Sequence, residues 1–163
     1  KQTLPGWKFD MMYRGIFTRP AGQIYSDMDE SRHVVSPFDI PAHWPVTVGI
    51  DFGAVNTATV WIAQDPASGF RYLFRESLEG DMSTKGHVRN AKDRAKEHRM
   101  VKWFGGAASE EQYRMDWQAE GINVQKPPVS NVESGIDRAI ELFKTNYYDN
   151  TYKYTNTGTR FHV

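Results

Sequence analysis

The stretch Val46-Thr47-Val48-Gly49-Ile50-Asp51-Phe52-Gly53 narrows the possible folds more than any other part of this chain. It follows Pro45 and ends at a glycine, so both ends are punctuated. In extended backbone, successive side chains fall on opposite faces. Val46, Val48 and Ile50 then share one face, and Thr47, Gly49 and Asp51 the other. Nearly every residue is apolar or small, which predicts a strand covered on both sides. A carboxylate at the end of such a strand is costly to bury unpaired. Asp51 would then need a metal ion, a cation or backbone donors, and Gly49 leaves room for a bulky partner beside it. The plainer alternative is a turn cap, because Asp-x-Gly is ordinary turn chemistry.

Residues 1–45 read as an irregular lead-in punctuated by Pro5-Gly6, Pro20-Ala21-Gly22, Pro37 and Pro45. Its aromatic runs, such as Trp7-Lys8-Phe9, would pack on the following domain or on another one. Residues 46–163 read as one domain. A second strand is expected over 57–63 and a third over 70–77, with Phe70, Tyr72, Phe74 and Glu76 on one face. Short links make these three an antiparallel meander. A helix over 83–99 follows, with a thin apolar stripe of Val88, Ala91 and Ala95. Its other positions are charged, including Lys85, Arg89, Lys92 and Lys96, a pattern that usually marks a solvated face.

A strand over 100–104 ends at Gly105-Gly106. Ser109-Glu110-Glu111-Gln112 has capping-box spacing and opens a helix that closes at Gly121. A strand over 122–125 stops at Pro127-Pro128. A second capping box, Ser130 to Glu133, opens a helix with a stripe of Val132, Ile136, Ala139, Ile140 and Phe143. The order β-β-β-α-β-α-β-α predicts an α/β fold, a mixed sheet flanked by helices. The segment 146–163 has no clear periodicity.

The chain has no cysteine, so any metal ion would be held by carboxylates, histidine or water. Its formal net charge is zero, so any affinity for nucleic acid must come from a local patch. Nothing approaches the run of about 18 apolar residues that a membrane span needs.

An acid on the first strand of this element order is the pattern of the ribonuclease H-like fold. The local sequence is more specific. Leu4-Pro5-Gly6-Trp7-Lys8-Phe9-Asp10, Tyr13-Arg14-Gly15, Thr18-Arg19-Pro20-Ala21-Gly22, Trp44-Pro45 and Gly49-Ile50-Asp51-Phe52-Gly53 resemble the nuclease region of tailed-phage terminase large subunits. So do the run from Phe104 to Arg114 and the run from Asn131 to Arg138.

That resemblance implies an endonuclease domain that cuts concatemeric double-stranded DNA with two Mg²⁺ or Mn²⁺ ions. It implies an ATPase motor upstream and absent here, in line with the missing G-x-x-x-x-G-K-[ST] cradle. It also implies portal protein and a small terminase subunit as partners, no membrane, and work in the host cytoplasm at the procapsid. Asp51 matches the first metal-binding carboxylate. The family's second acid stands where this chain has Gly105-Gly106, which leaves Glu110, Glu111 and Glu76 as candidates. Acids in a helix's first turn also favour its dipole, the ordinary reading of Glu110 and Glu111. The third acid would follow Arg160-Phe161-His162-Val163, so the domain is expected to be truncated, with His162 near the site. Lys85, Arg89, Lys92 and Lys96 would meet DNA phosphates.

Two other readings compete. Residues 49–57 also resemble the first phosphate loop of the actin/Hsp70/sugar-kinase superfamily, although such enzymes need two lobes and a second phosphate motif. The glycines at the second acid's place fit a catalytically decayed docking module for portal or motor.

Overall fold

The computed structural model describes residues 30–53, 55–128, 131–144 and 152–155. In chain order the elements are a one-turn helix α1 (Glu30–His33), β1 (Val34–Val35), β2 (Pro45–Phe52), β3 (Asn56–Gln64), β4 (Arg71–Gly80), α2 (Thr84–Ala95) and β5 (Met100–Gly105). A 3₁₀ turn (Ala108–Glu110) then leads into α3 (Glu111–Ala119), followed by β6 (Val124–Gln125), α4 (Val132–Lys144) and β7 (Tyr152–Thr155). The strands form one mixed sheet in the order β1-β7-β4-β3-β2-β5-β6. β2, β3 and β4 are the expected antiparallel meander, while β5 lies parallel to β2 and β6 parallel to β5.

Only one face of β2 is sealed among the described residues, against the expectation of cover on both. Val46, Val48, Ile50 and Phe52 are buried, whereas Thr47 and Asp51 are exposed. The reason lies in the crossovers: both the β4–α2–β5 and the β5–α3–β6 connections put their helices on the same face. Val88 and Ala91 of α2 and Trp117 of α3 join the core made by β2, Trp61 and Ala63 of β3, and Trp103 of β5. Trp61 meets Trp103 edge-on with centroids 5.3 Å apart, and Phe52 meets Trp117 at 5.6 Å. Such aromatic pairs add about 0.5–1.5 kcal/mol beyond their area burial.

Several boundaries differ from the sequence reading. The lead-in contributes β1 to the sheet edge, and the unassigned tail contributes β7, which pairs with both β1 and β4. Strands this short carry no period to detect. β4 runs on to Gly80, and its register against β3 shifts between Trp61 and Ile62. Trp61 pairs with Arg75 and Ile62 with Leu73, so Phe74 is the extra, bulged residue. A bulge breaks simple alternation. Phe74 therefore turns into the core, while Glu76, expected beside it, keeps to the opposite face.

The helix caps also move. α2 stops at Ala95, four residues early, because the Arg99 N–H donates to the Ala42 carbonyl instead. α3 is preceded by the 3₁₀ turn, whose N-cap is Ala107, and Glu110 rather than Ser109 stands at the N-cap of α3 itself. Asn131 caps α4, its Oδ1 accepting from Glu133 N at 2.8 Å, whereas Ser130 lies outside the described residues. Gly121 does close α3: it has φ +91°, its N–H donates to Gln118, and Ile122 N–H donates to Trp117. That is the Schellman arrangement, whose left-handed position suits glycine.

Candidate functional site

The sheet brings one edge to attention. β2, β4 and β5 all point the same way, so Phe52, Gly80 and Gly105 end at that edge. α2 and α3 follow β4 and β5, so both helices begin there. In an open α/β sheet, this carboxyl edge is where ligands bind.

Asp51 stands at this edge, opposite Ala58 of β3, on the face away from α2 and α3. Its side chain is exposed, and no hydrogen bond or ion pair holds it among the described residues. Solvation removes the burial cost that the sequence argument assigned to this carboxylate. Asp51 is available to a ligand rather than forced to have one.

Glu110 comes to the same edge. Ile50 pairs with Gly105, so the chain leaves β5 beside the strand position of Asp51. It then turns through Gly106 and Ala107 into the 3₁₀ turn. Glu110 Oε2 accepts from Ala107 N at 2.6 Å, and Glu110 N donates to the Ala107 carbonyl at 3.1 Å. This is a capping contact made by one carboxylate oxygen, where the sequence suggested only a favourable place in the helix dipole. Oε1 has no partner among the described residues. Glu111 is the exposed first residue of α3.

Glu76 shares the face of Asp51 but lies mid-strand, not at a strand end. It pairs with Val60, which pairs with Gly49, two strands across and one row back from Asp51. Two strand spacings and that offset put the two α-carbons roughly 12 Å apart, a long reach for one shared ion. His162 lies outside the described residues, which contain no group of three potential metal ligands.

The four cations of α2 separate by position. Lys85, in the first turn, and Arg89 are exposed and line a cleft of about 380 Å³ with Ser83, Gly86, Lys92 and Glu120. Lys92 donates to the Glu120 carbonyl, and Lys96 pairs with Asp93 at 2.6 Å. Lys96 sits roughly 16 Å further along the axis than Lys85, away from the Asp51 edge.

Sequence reasoning missed the polar seam that fixes α2. His87, Asn90 and Arg94 form one helical stripe facing β4. Arg94 pairs with Glu79 and also donates to Ser77 Oγ at 3.3 Å; Asn90 donates to Glu79 at 3.2 Å. Burial alone would raise the Glu79 pKa, but the bonds from Asn90 and Arg94 and the charges of Arg94 and His87 hold it below the usual carboxylate value. Glu79 at alternating spacing within a strand was the available signal.

Arg114 was missed too. It is only 9% exposed, and its Nη1 donates to the carbonyls of Ala107 at 2.9 Å and Gly105 at 3.3 Å. Its place three residues before Trp117, on the inward stripe of α3, was the clue.

No protein-family model and no curated protein matches the sequence. Solved structures do match the fold. The nuclease domain of the bacteriophage P22 large terminase is 22% identical, covering 84% of this chain and 74% of that one, with a TM-score of 0.62. The large terminase of a thermophilic bacteriophage is 17% identical over 81% of this chain at a TM-score of 0.67, and the match spans only 33% of that longer protein. The large terminase nuclease of the thermophilic phage G20c, solved with bound magnesium, is 15% identical over 85% of this chain and 76% of its own, at 0.59. The chain has the ribonuclease H-like fold of phage large-terminase nuclease domains.

Proposed function

We propose that this chain is the nuclease domain of a viral DNA-packaging large terminase and hydrolyses double-stranded DNA with Mg²⁺ or Mn²⁺. The observation that carries the reading is the exposed Asp51 carboxylate, without a partner among the described residues, at the carboxyl edge of a sheet with the terminase-nuclease fold. The donor chemistry fits a hard divalent ion: the edge offers carboxylate oxygens, Asp51 and Glu110 Oε1, and the chain has no thiol. Two such ions, when bound, supply an activated water and stabilise the leaving oxygen. The protein's own part is to hold the carboxylates at one edge and to seat the phosphate backbone. Lys85 and Arg89, at the start of α2, are the cations with reach toward that edge. Lys92 and Lys96 contribute less, since both have partners within the chain.

In this role the partners are duplex DNA, an ATPase motor domain, portal protein and the small terminase subunit, in the host cytoplasm at the procapsid. The test is nicking of supercoiled plasmid by the purified chain with Mn²⁺. Nicking that a chelator stops and fresh Mn²⁺ restores supports the reading; no metal-dependent nicking over a broad Mn²⁺ range overturns it.

A further inference from the structure

We propose that Arg114 is a positioning residue that sets the spacing between Asp51 and Glu110, and that Glu110 takes the place of a strand-end acid in this chain. The inference rests on the metal-dependent reading above and adds to it which residue builds the second half of the site.

The turn after β5 has no room for an acid on the strand end. A Cβ at Gly105 would stand 2.6 Å from the Ile50 carbonyl oxygen and 2.8 Å from Ile50 Cβ. At Gly106 it would stand 2.7 Å from Arg114 Nη1 and 3.1 Å from the Phe52 ring, on a backbone of φ +77°. The two glycines are what let this turn close against β2 and Arg114. A carboxylate from this turn must come from further along, and Glu110 is the first acid after it.

Arg114 holds both sides of the turn together. Its guanidinium gathers the carbonyls of Gly105 and Ala107 from below. With the carbonyls turned toward Arg114, the turn's amides serve the site. Gly106 N–H donates to the carbonyl of Ile50, the residue before Asp51, and Ala107 N–H donates to Glu110 Oε2. One buried side chain thus fixes a short path from the backbone of Asp51 to the carboxylate of Glu110. Arg114 has no carboxylate partner among the described residues, so backbone oxygens meet its charge. Both bonds come from Nη1, and lysine would not reproduce them, because its ammonium ends one bond short of that position and is more strongly hydrated.

The test is Mn²⁺ affinity of the full chain, read from the free-ion signal by electron paramagnetic resonance well below each variant's Tm. Glu110→Gln and Arg114→Lys are each expected to weaken binding about tenfold or more, the scale of losing an outer-shell support. Arg114→Lys added to Glu110→Gln is expected to weaken it no further, because Arg114 acts through Glu110. Gly106→Ala, which presses on Arg114 from the other side, replaces Arg114→Lys in the cycle if that variant does not fold. Unchanged affinity in Arg114→Lys, or full additivity in the double variant, overturns the positioning role while leaving the nuclease reading in place. Wild-type affinity in Asp51→Asn, or no binding by the wild type, overturns both.

Discussion

The two faces of this sheet were built differently. On one, α2 and α3 press Trp61, Trp103 and Trp117 into a sealed core, and Glu79, Arg94, Asn90 and Ser77 stitch α2 to β4. On the other, Asp51 is exposed, and Leu78 and Val60 remain 56% and 37% accessible. Neighbouring residues of one strand, Trp61 and Val60, fall into these two environments because the strand period is two. The difference separates stability from chemistry: the sealed face holds the strands rigid, and the open face presents what they carry.

The largest test of that division is Trp61→Ala against Val60→Ala. Trp61 is fully buried, and its indole N–H donates to Thr59 Oγ1 at 3.1 Å. Its loss is expected to cost about 3–5 kcal/mol in urea unfolding. Val60→Ala should stay within about 1 kcal/mol, near the range of surface changes. Comparable losses at both positions would mean that the second face is covered as well.

A smaller effect tests the edge where the faces meet. Removing one phosphate contact lowers the salt dependence of duplex binding by roughly one in log–log slope. Lys85→Ala is expected to do this, and Lys96→Ala to leave the slope unchanged. The reverse ranking would place the duplex along the far end of α2 and away from Asp51.

The smallest effect probes the sealed face at His98. Both its ring nitrogens are buried without a hydrogen-bond partner among the described residues, and the ring meets Phe74 edge-on at 5.3 Å. Burial first, and then the Arg75 charge, hold its pKa below 6.5, with Glu97 opposing. The unfolded chain therefore takes up this proton before the folded one does. Its contribution is fully present above pH 6.5 and is lost as pH falls below that toward the folded pKa. His98→Phe should flatten this part of the stability–pH curve and leave the protein at least as stable at pH 6. Parallel curves for the two proteins would show that the sealed face tolerates charge.

Much of this was legible in the chain. The meander, the α2 stripe of Val88 and Ala91 and the Gly121 stop all follow from local periodicity and glycine chemistry. What escaped depended on distant partners. Whether β2 was covered once or twice depends on which face the crossovers chose, and no residue of β2 encodes that. The bulge at Phe74 arises from a register shift between two strands, so alternation misplaced Glu76. At the site, Asp51 could be picked out by its place at a strand end, while Arg114 offered only its spacing from Trp117 on the inward stripe of α3. A buried arginine that binds only backbone oxygens leaves no partner in the sequence to betray it.

The central claim is that Asp51 serves chemistry rather than the fold, and Mn²⁺-dependent plasmid nicking by Asp51→Asn measures it most directly. The account predicts that nicking disappears while the urea midpoint stays within experimental error of the wild type, with Glu111→Gln as an active control. Nicking at the wild-type rate by Asp51→Asn, free of contaminating nuclease, would contradict it.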